Sequence, residues 1–324
     1  MMFYAFGGAL VLAAFAVADV VMSVAVMALA LPAARALAPA RAMTRTRALL
    51  AIRLAPPVAA AVFAFGLVLP AYLRFEPAQS GERVTPALAL LAAAALALVG
   101  HGLVRAARAL SSTSALQRQW RAQAEPIAAT ASPVPVYRVR DGFPVFTVVG
   151  LWRPAMYVSG RLLDALAPSE IAAAMAHEQG HLDGRDNVKR LLLRASPDLV
   201  AFSPVARALE QEWARAAEML ADERASGGCR ETALALAAGL VKVARLAPIT
   251  PGELPVSALH DGNDVSVRVR HLVAHADRRV RGARRGRAFV TLTGAVLGAS
   301  GLALARLALP AVHELIEVGA RLLR

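Results

Sequence analysis

Apolar positions in this chain gather into long runs near its two ends, with a segment of mixed polarity between them. From Met1 to Ala34 the only charged side chain is Asp19, and the run from Phe3 to Leu31 exceeds the roughly 20 residues that cross a bilayer. It has no basic leading segment and is too long for a signal-peptide core, so a retained helix is predicted. Further runs cover Leu54 to Leu73, Val84 to Val104 and Ala288 to Ala305. Pro56 and Pro57 fall in the first turn of the second predicted span, where a missing N–H does least harm. Gly294, Gly298 and Gly301 in the fourth suit close helix packing. Asp19 reads equally as a buried functional acid and as a helix-contact residue. His101 reads first as a helix contact.

Between the third and fourth runs the pattern changes. Leu110 to Glu125 has helical spacing. Short β-branched stretches punctuated by Pro and Gly follow at Pro133 to Tyr137, Pro144 to Gly150 and Pro154 to Ser159, and these predict strands. Ala167-Pro168-Ser169-Glu170 starts a helix with Ser169 as N-cap, and helices continue to about Ala247. The expected fold class is a mainly α membrane protein: about four transmembrane helices, with an α+β domain inserted before the last. The divisions are 1–104, three spans with a basic loop at 35–53; 105–285, the water-exposed domain; and 286–324, the fourth span and a short tail.

Hydrophobic residues make up 57% of the 324, and the formal net charge is +13. Such a charge suits a nucleic-acid binder or a membrane protein with basic cytoplasmic loops. Here the arginines flank the apolar runs and do not interleave with aromatics, so the bilayer is the expected partner and no direct nucleic-acid binding is expected. Arg35, Arg41, Arg45, Arg47 and Arg53 put the first loop in the cytoplasm. Arg105, Arg108, Arg118 and Arg121 at one end of the inserted domain, and six arginines from Arg278 to Arg287 at the other, put that domain there too. Both termini then fall outside. Cys229 is the sole cysteine, which excludes an intrachain disulfide and a Cys-based zinc site. It reads as a small buried apolar residue.

The first helix after the strands carries His177-Glu178-Gln179-Gly180-His181. Residues four apart share a helix face, so both imidazoles can reach one tetrahedral ion. Glu178 can face the attacking water, take its proton and pass it to a leaving amine. A later helix carries Glu218 and Asp222 one turn apart. Glu218 completes a His2Glu set for Zn2+ with one position open, as catalytic zinc requires. Asp222 can accept the remaining N–H of a ligand imidazole and fix its tautomer. Among His260, His271 and His275, His260 is the first choice to donate to a developing oxyanion, since it lies in the turn Leu259-His260-Asp261-Gly262. Asp183 and Asp186 read as capping residues paired with Arg185 or Arg190.

These motifs resemble the BlaR/MecR family of membrane metallopeptidases, which are gluzincins. The likeness rests on Val148 to Val158, on His177 to His181 followed by Arg185-Asp186, on Phe202-Ser203-Pro204, and on Glu218 with Ala221-Asp222. It covers roughly 130 to 275 and, by layout only, the spans. The resemblance implies a zinc endopeptidase in a bacterial inner membrane, with a cytoplasmic catalytic domain that cleaves itself or a winged-helix repressor. Where those sensors carry a large penicillin-binding domain, this sequence has only His313 to Arg324, so β-lactam sensing is not carried over. HtpX-type quality-control proteases share the ligand pattern and are the rival family. A zinc-stabilised signalling protein is a non-enzymatic alternative, and a transporter built on Asp19 and His101 a weaker one. A homo-oligomer stays open.

Overall fold

The computed structural model describes residues 2–76, 83–127, 132–140, 145–246 and 262–276, with Pro310 and Glu314. The fourth predicted span lies outside the described residues, as does His260. Among the described residues, three helical rods are long and apolar enough to cross a membrane. They are α1 (Met2–Ala36); α2 (Ala42–Phe63), continued by a π-helical turn and α3 (Leu69–Phe75); and α4 (Pro86–Gln123). The sheet and remaining helices follow: β1 (Ala124–Ile127), β2 (Val136–Val139), β3 (Phe146–Val149), β4 (Ala155–Ser159), α5 (Gly160–Ala165), α6 (Pro168–Gly184), α7 (Asp186–Ala195), α8 (Pro204–Ser226), α9 (Arg230–Leu246) and α10 (Gly262–Ala276).

The rods exceed the bilayer. At 1.5 Å per residue the 38 residues of α4 reach about 57 Å, against a hydrocarbon thickness of about 30 Å. The helix expected over 110–125 is therefore the continuation of α4. α2 likewise begins before its span, so Pro56 and Pro57 lie inside a helix and not in a first turn. Both are buried there, and packing with neighbouring helices is what lets membrane helices keep interior prolines.

Phe6, Leu10 and Phe15 of α1 pack against Ala60, Val68, Tyr72, Leu88 and Ala95 in the other rods. Farther along α1, Val26, Ala30 and Ala34 meet Leu209, Trp213, Ala216 and Ala217 of α8. The same helix thus serves the bundle with one half and the inserted domain with the other.

The sheet runs β1-β2-β4-β3, with β2 and β4 parallel and the outer pairs antiparallel. β1 was not expected; it forms because α4 ends at Gln123 and the chain turns extended, with Pro126 on an edge strand where no ladder donor is lost. α6 starts at Pro168, and the Glu170 carboxylate accepts the Ala167 N–H at 2.7 Å. Ser169 is therefore inside the helix and not its cap: Pro at N1 and Glu at N3 supply the start signal. Cys229 is exposed, not buried, and its thiol donates to Glu231 at 2.9 Å.

Where the bundle meets the domain, Arg53 is only 1% exposed. It donates to Asp198 at 2.6 Å and Ser196 at 3.2 Å. Asp198 also accepts the Ala201 N–H, capping a 3-10 turn over Leu199–Phe202. Asp19 accepts the Leu199 N–H at 3.2 Å and the Ser23 hydroxyl at 3.4 Å, so it holds the entering chain. His101 stacks on Phe202, with centroids 4.6 Å apart. Arg45 pairs with Glu212 of α8, which puts the basic first loop on the domain's side of the bundle.

Candidate metal centre

The site lies where α6 crosses α8. A Cβ on Gly180 would come within 3.1 Å of the Ala221 Cα and 3.2 Å of its carbonyl oxygen. Glycine at 180 and alanine at 221 thus let the two backbones approach, which brings a glutamate of α8 beneath two histidines of α6. His177 Nε2 and His181 Nε2 are 3.2 Å apart, Glu218 Oε2 is 3.4 Å from His177 Nε2, and Glu218 Oε1 is 3.4 Å from His181 Nε2. Ligand atoms around a tetrahedral ion with bonds of about 2.0–2.1 Å stand about 3.3–3.4 Å apart. Each imidazole thus meets a different oxygen of the one Glu218 carboxylate at the spacing that ligands of a zinc ion take, and the donor set suits zinc.

Both imidazoles are held from behind. Asp222 Oδ1 lies 2.8 Å from His177 Nδ1, and Asp186 Oδ2 lies 2.8 Å from His181 Nδ1. Asp186 reaches this position because Arg185 alone joins α6 to α7, in a left-handed conformation at φ 52°. That tight corner folds the next residue back under the helix it has just left. Asp186 pairs with His181 and Lys189, not with Arg185 or Arg190 as expected, while Asp183 accepts from Gln179. Its proximity in sequence to His181 was the available signal.

Arg268 of α10 went unnoticed in the sequence. It is 2% exposed, grips Asp222 through two hydrogen bonds of 2.9 and 2.7 Å, and brings Nη1 within 3.1 Å of Glu218. A signal existed: Val265, Arg268 and Leu272 share one helix face and are all buried, so an arginine interrupts an apolar stripe. His271 stands apart from these ligands, 3.3 Å from Glu223.

Glu178 is 4% exposed and accepts the Val148 N–H at 2.9 Å. β3 is an edge strand, and Ser159 donates to Val145, so alternate residues of β3 bond to β4. Val148 consequently presents its N–H outward, toward the site. Glu178, His181 and Glu218 line one cavity of about 160 Å3, together with Val148, Gly150 and Arg190.

Burial disfavours every charge here, and neighbours decide the outcome. It pushes the Glu178 carboxyl up against the pull of His181 and His177. It would raise Glu218 too, but His181 and Arg268 outweigh it and hold that carboxyl well below its usual range. Burial opposes a charged His181, yet Glu218 and Asp186 carry its pKa up to about 10. His177 is also raised: burial and Arg268 oppose its charge, and Asp222 and Glu218 prevail. Before metal enters, the carboxylates therefore hold protons on the imidazoles that a cation would replace.

A family model described as peptidase family M48 matches residues 110–257. No curated protein and no solved structure matches the chain. The matched segment is a gluzincin-type zinc metallopeptidase domain whose active site contains His177, His181 and Glu218, and it belongs to a multi-pass membrane protein.

Proposed function

We propose that the chain is an integral-membrane endopeptidase that hydrolyses peptide bonds on the cytoplasmic side, with Glu178 as general base. The observation that carries this is the convergence of His177, His181 and the Glu218 carboxylate, at spacings of 3.2 Å between the imidazoles and 3.4 Å from each to its nearer carboxylate oxygen, with Glu178 lining the same cavity. A zinc ion held by His177, His181 and Glu218 supplies Lewis acidity and lowers the pKa of water. The buried Glu178 carboxylate, its proton affinity raised, accepts a proton from the attacking water and returns it to the leaving amine. Val148 orients that carboxylate through its N–H. Asp222 and Asp186 fix the tautomers of the two histidines, and Arg268 keeps Asp222 and Glu218 charged. His260 is our assignment for the oxyanion donor, from its place in the sequence alone.

The cytoplasmic placement of 105–285 follows from the arginine count and draws support from the Arg45–Glu212 pair, which joins the basic first loop to the domain. Within this reading, the BlaR/MecR likeness favours regulatory cleavage, of the chain itself or of a winged-helix repressor. The test is purified protein in detergent with casein as substrate. Cleavage should vanish with chelator, return with zinc, and be absent in Glu178→Gln, which should still bind one zinc. Undiminished cleavage by Glu178→Gln would remove the assignment.

A further inference from the structure

The catalytic cavity has a neighbour. A second cavity, of about 130 Å3, lies between α4, β3 and α7 and shares Thr147, Val148, Gly150, Leu151, Asn187 and Arg190 with the first. α7 runs antiparallel to α4. Gly102 packs against the Ala195 carbonyl at the bundle end; at the other end Asn187 donates to Gly150 and Gln117 of α4 donates to Arg153, both beside β3. Gln117 stands about 13 residues beyond the end of the third span, or about 20 Å at helical rise. The joined cavities therefore form a groove that leads from near the membrane surface toward the metal ligands.

Carboxylates line the groove only at its metal end, through Glu178, Asp186 and Glu218. Its membrane-proximal part is lined by Leu110, Leu116, Leu151 and Leu191, by Arg190 and Arg194, and by no carboxylate. Arg190 stands where the two cavities join. Its side chain is one-third exposed, and the one contact described for its guanidinium is Glu218 Oε1 at 3.6 Å, beyond hydrogen-bond length. A guanidinium carries five N–H donors in a planar fork that matches a carboxylate. Arg190 thus presents donors to whatever occupies the groove.

We propose that Arg190, with Arg194 behind it, is a specificity-determining residue: the groove takes a substrate chain with an acidic side chain on Arg190 and an apolar one among Leu110, Leu116 and Leu191. This rests on the peptidase reading of the site and names the substrate class, acidic–apolar segments close to the membrane surface. Arg190 touches the substrate side chain and not the reacting atoms, so its loss changes which peptide is cut before it changes how fast any peptide is cut.

The test uses the full chain in detergent with zinc, and peptide pairs that differ only by Asp or Glu against Asn or Gln at successive positions. At one position the acidic peptide should be preferred about tenfold in kcat/KM, the scale of a charge-assisted hydrogen bond. Arg190→Gln should abolish that preference through KM, Arg190→Lys should keep part of it, and Arg194→Gln should reduce it by about twofold. No acidic preference in the parent overturns the inference, as does a preference that survives Arg190→Gln. A uniform loss of kcat in Arg190→Gln also overturns it, because the arginine then acts only through Glu218. Phosphatidylglycerol vesicles that stimulate the parent but not the variant, with peptide preference unchanged, would assign the arginines to lipid and overturn it too. Peptide affinity of zinc-loaded Glu178→Gln separates the two readings. Arg190-dependent acidic binding without cleavage by the parent sinks the peptidase and keeps the groove; cleavage without acidic preference does the reverse.

Discussion

Two arginines, Arg53 and Arg268, are almost wholly buried, and their surroundings differ in one respect. Arg53 sits where the bundle meets the domain: Asp198 takes its guanidinium, Ser196 bridges, Glu210 stands 3.7 Å from its Nε, and Asp198 and Asp19 each spend an oxygen on a backbone N–H. Arg268 sits behind the metal ligands, facing Asp222, Glu218 and Glu178, where two imidazoles turn their Nε2 atoms toward a common point. The first cluster joins elements; the second gathers two ring nitrogens and a carboxylate where a dication can replace the imidazole protons. A buried charge cluster is thus structural or metal-seeking according to whether its carboxylates are spent on backbone N–H groups or converge with imidazoles.

The largest expected effect falls on the second cluster. Glu178→Gln should lower kcat by about a hundredfold to ten-thousandfold while leaving zinc stoichiometry at one by elemental analysis. Loss of zinc along with activity would show that Glu178 is needed for the metal and would blur its role as base.

Next come the two arginines themselves. Arg53→Met should lower unfolding free energy by about 3–5 kcal/mol, because it strands buried carboxylates. Zinc should recover none of the difference from the parent. Arg268→Met should cost a similar amount without metal, and saturating zinc should restore most of it, since an ion replaces the missing positive charge. Thermal unfolding in detergent with and without zinc reads both. Equal zinc rescue of the two variants would erase the distinction drawn between the clusters.

Proton release is a subtler consequence. The folded pKa of His181, about 10, lies above its unfolded value of about 6.5. The charged imidazole therefore stabilises the metal-free fold below about pH 6.5, and that contribution fades as pH rises through about 10. Zinc needs the neutral ring, so binding near pH 7 should release at least one proton, and apparent affinity should climb with pH. Calorimetry in buffers of different ionisation heat measures this; proton-neutral binding at pH 7 would contradict it.

The smallest effect is at the corner between α6 and α7. Arg185→Gly should be neutral or stabilise the fold by up to about 1 kcal/mol, because glycine accepts positive φ without strain. By contrast, Gly180→Ala should weaken zinc binding, since its new methyl meets the Ala221 backbone and must push α8 away. The two substitutions at glycine-type positions therefore have opposite signs.

Local information carried most of what could be read in advance. Apolar runs of about 20 residues with at most one charge read as spans, because that length of helix crosses a bilayer, and the His-Glu-x-x-His spacing needs nothing beyond a helix to align two imidazoles. The strands β2, β3 and β4 followed from β-branched runs between turn residues, but their order, with β2 parallel to β4, did not. What the sequence could not settle were helix ends that depend on distant partners. α4 runs through its own span into the domain, and α2 begins well before Pro56 and Pro57, because neighbouring helices, not local breakers, decide where a rod stops. The deeper limit concerns convergence. That Glu218 meets His177 and His181 rests on Gly180 lying against Ala221, 41 positions away. That Arg268 steadies Asp222, 46 positions back, rests on how α10 packs against α8. Charge, period and spacing are properties of neighbours along the chain and can be read there. The closing of a metal site is a property of neighbours in space, and only the tertiary structure chooses those.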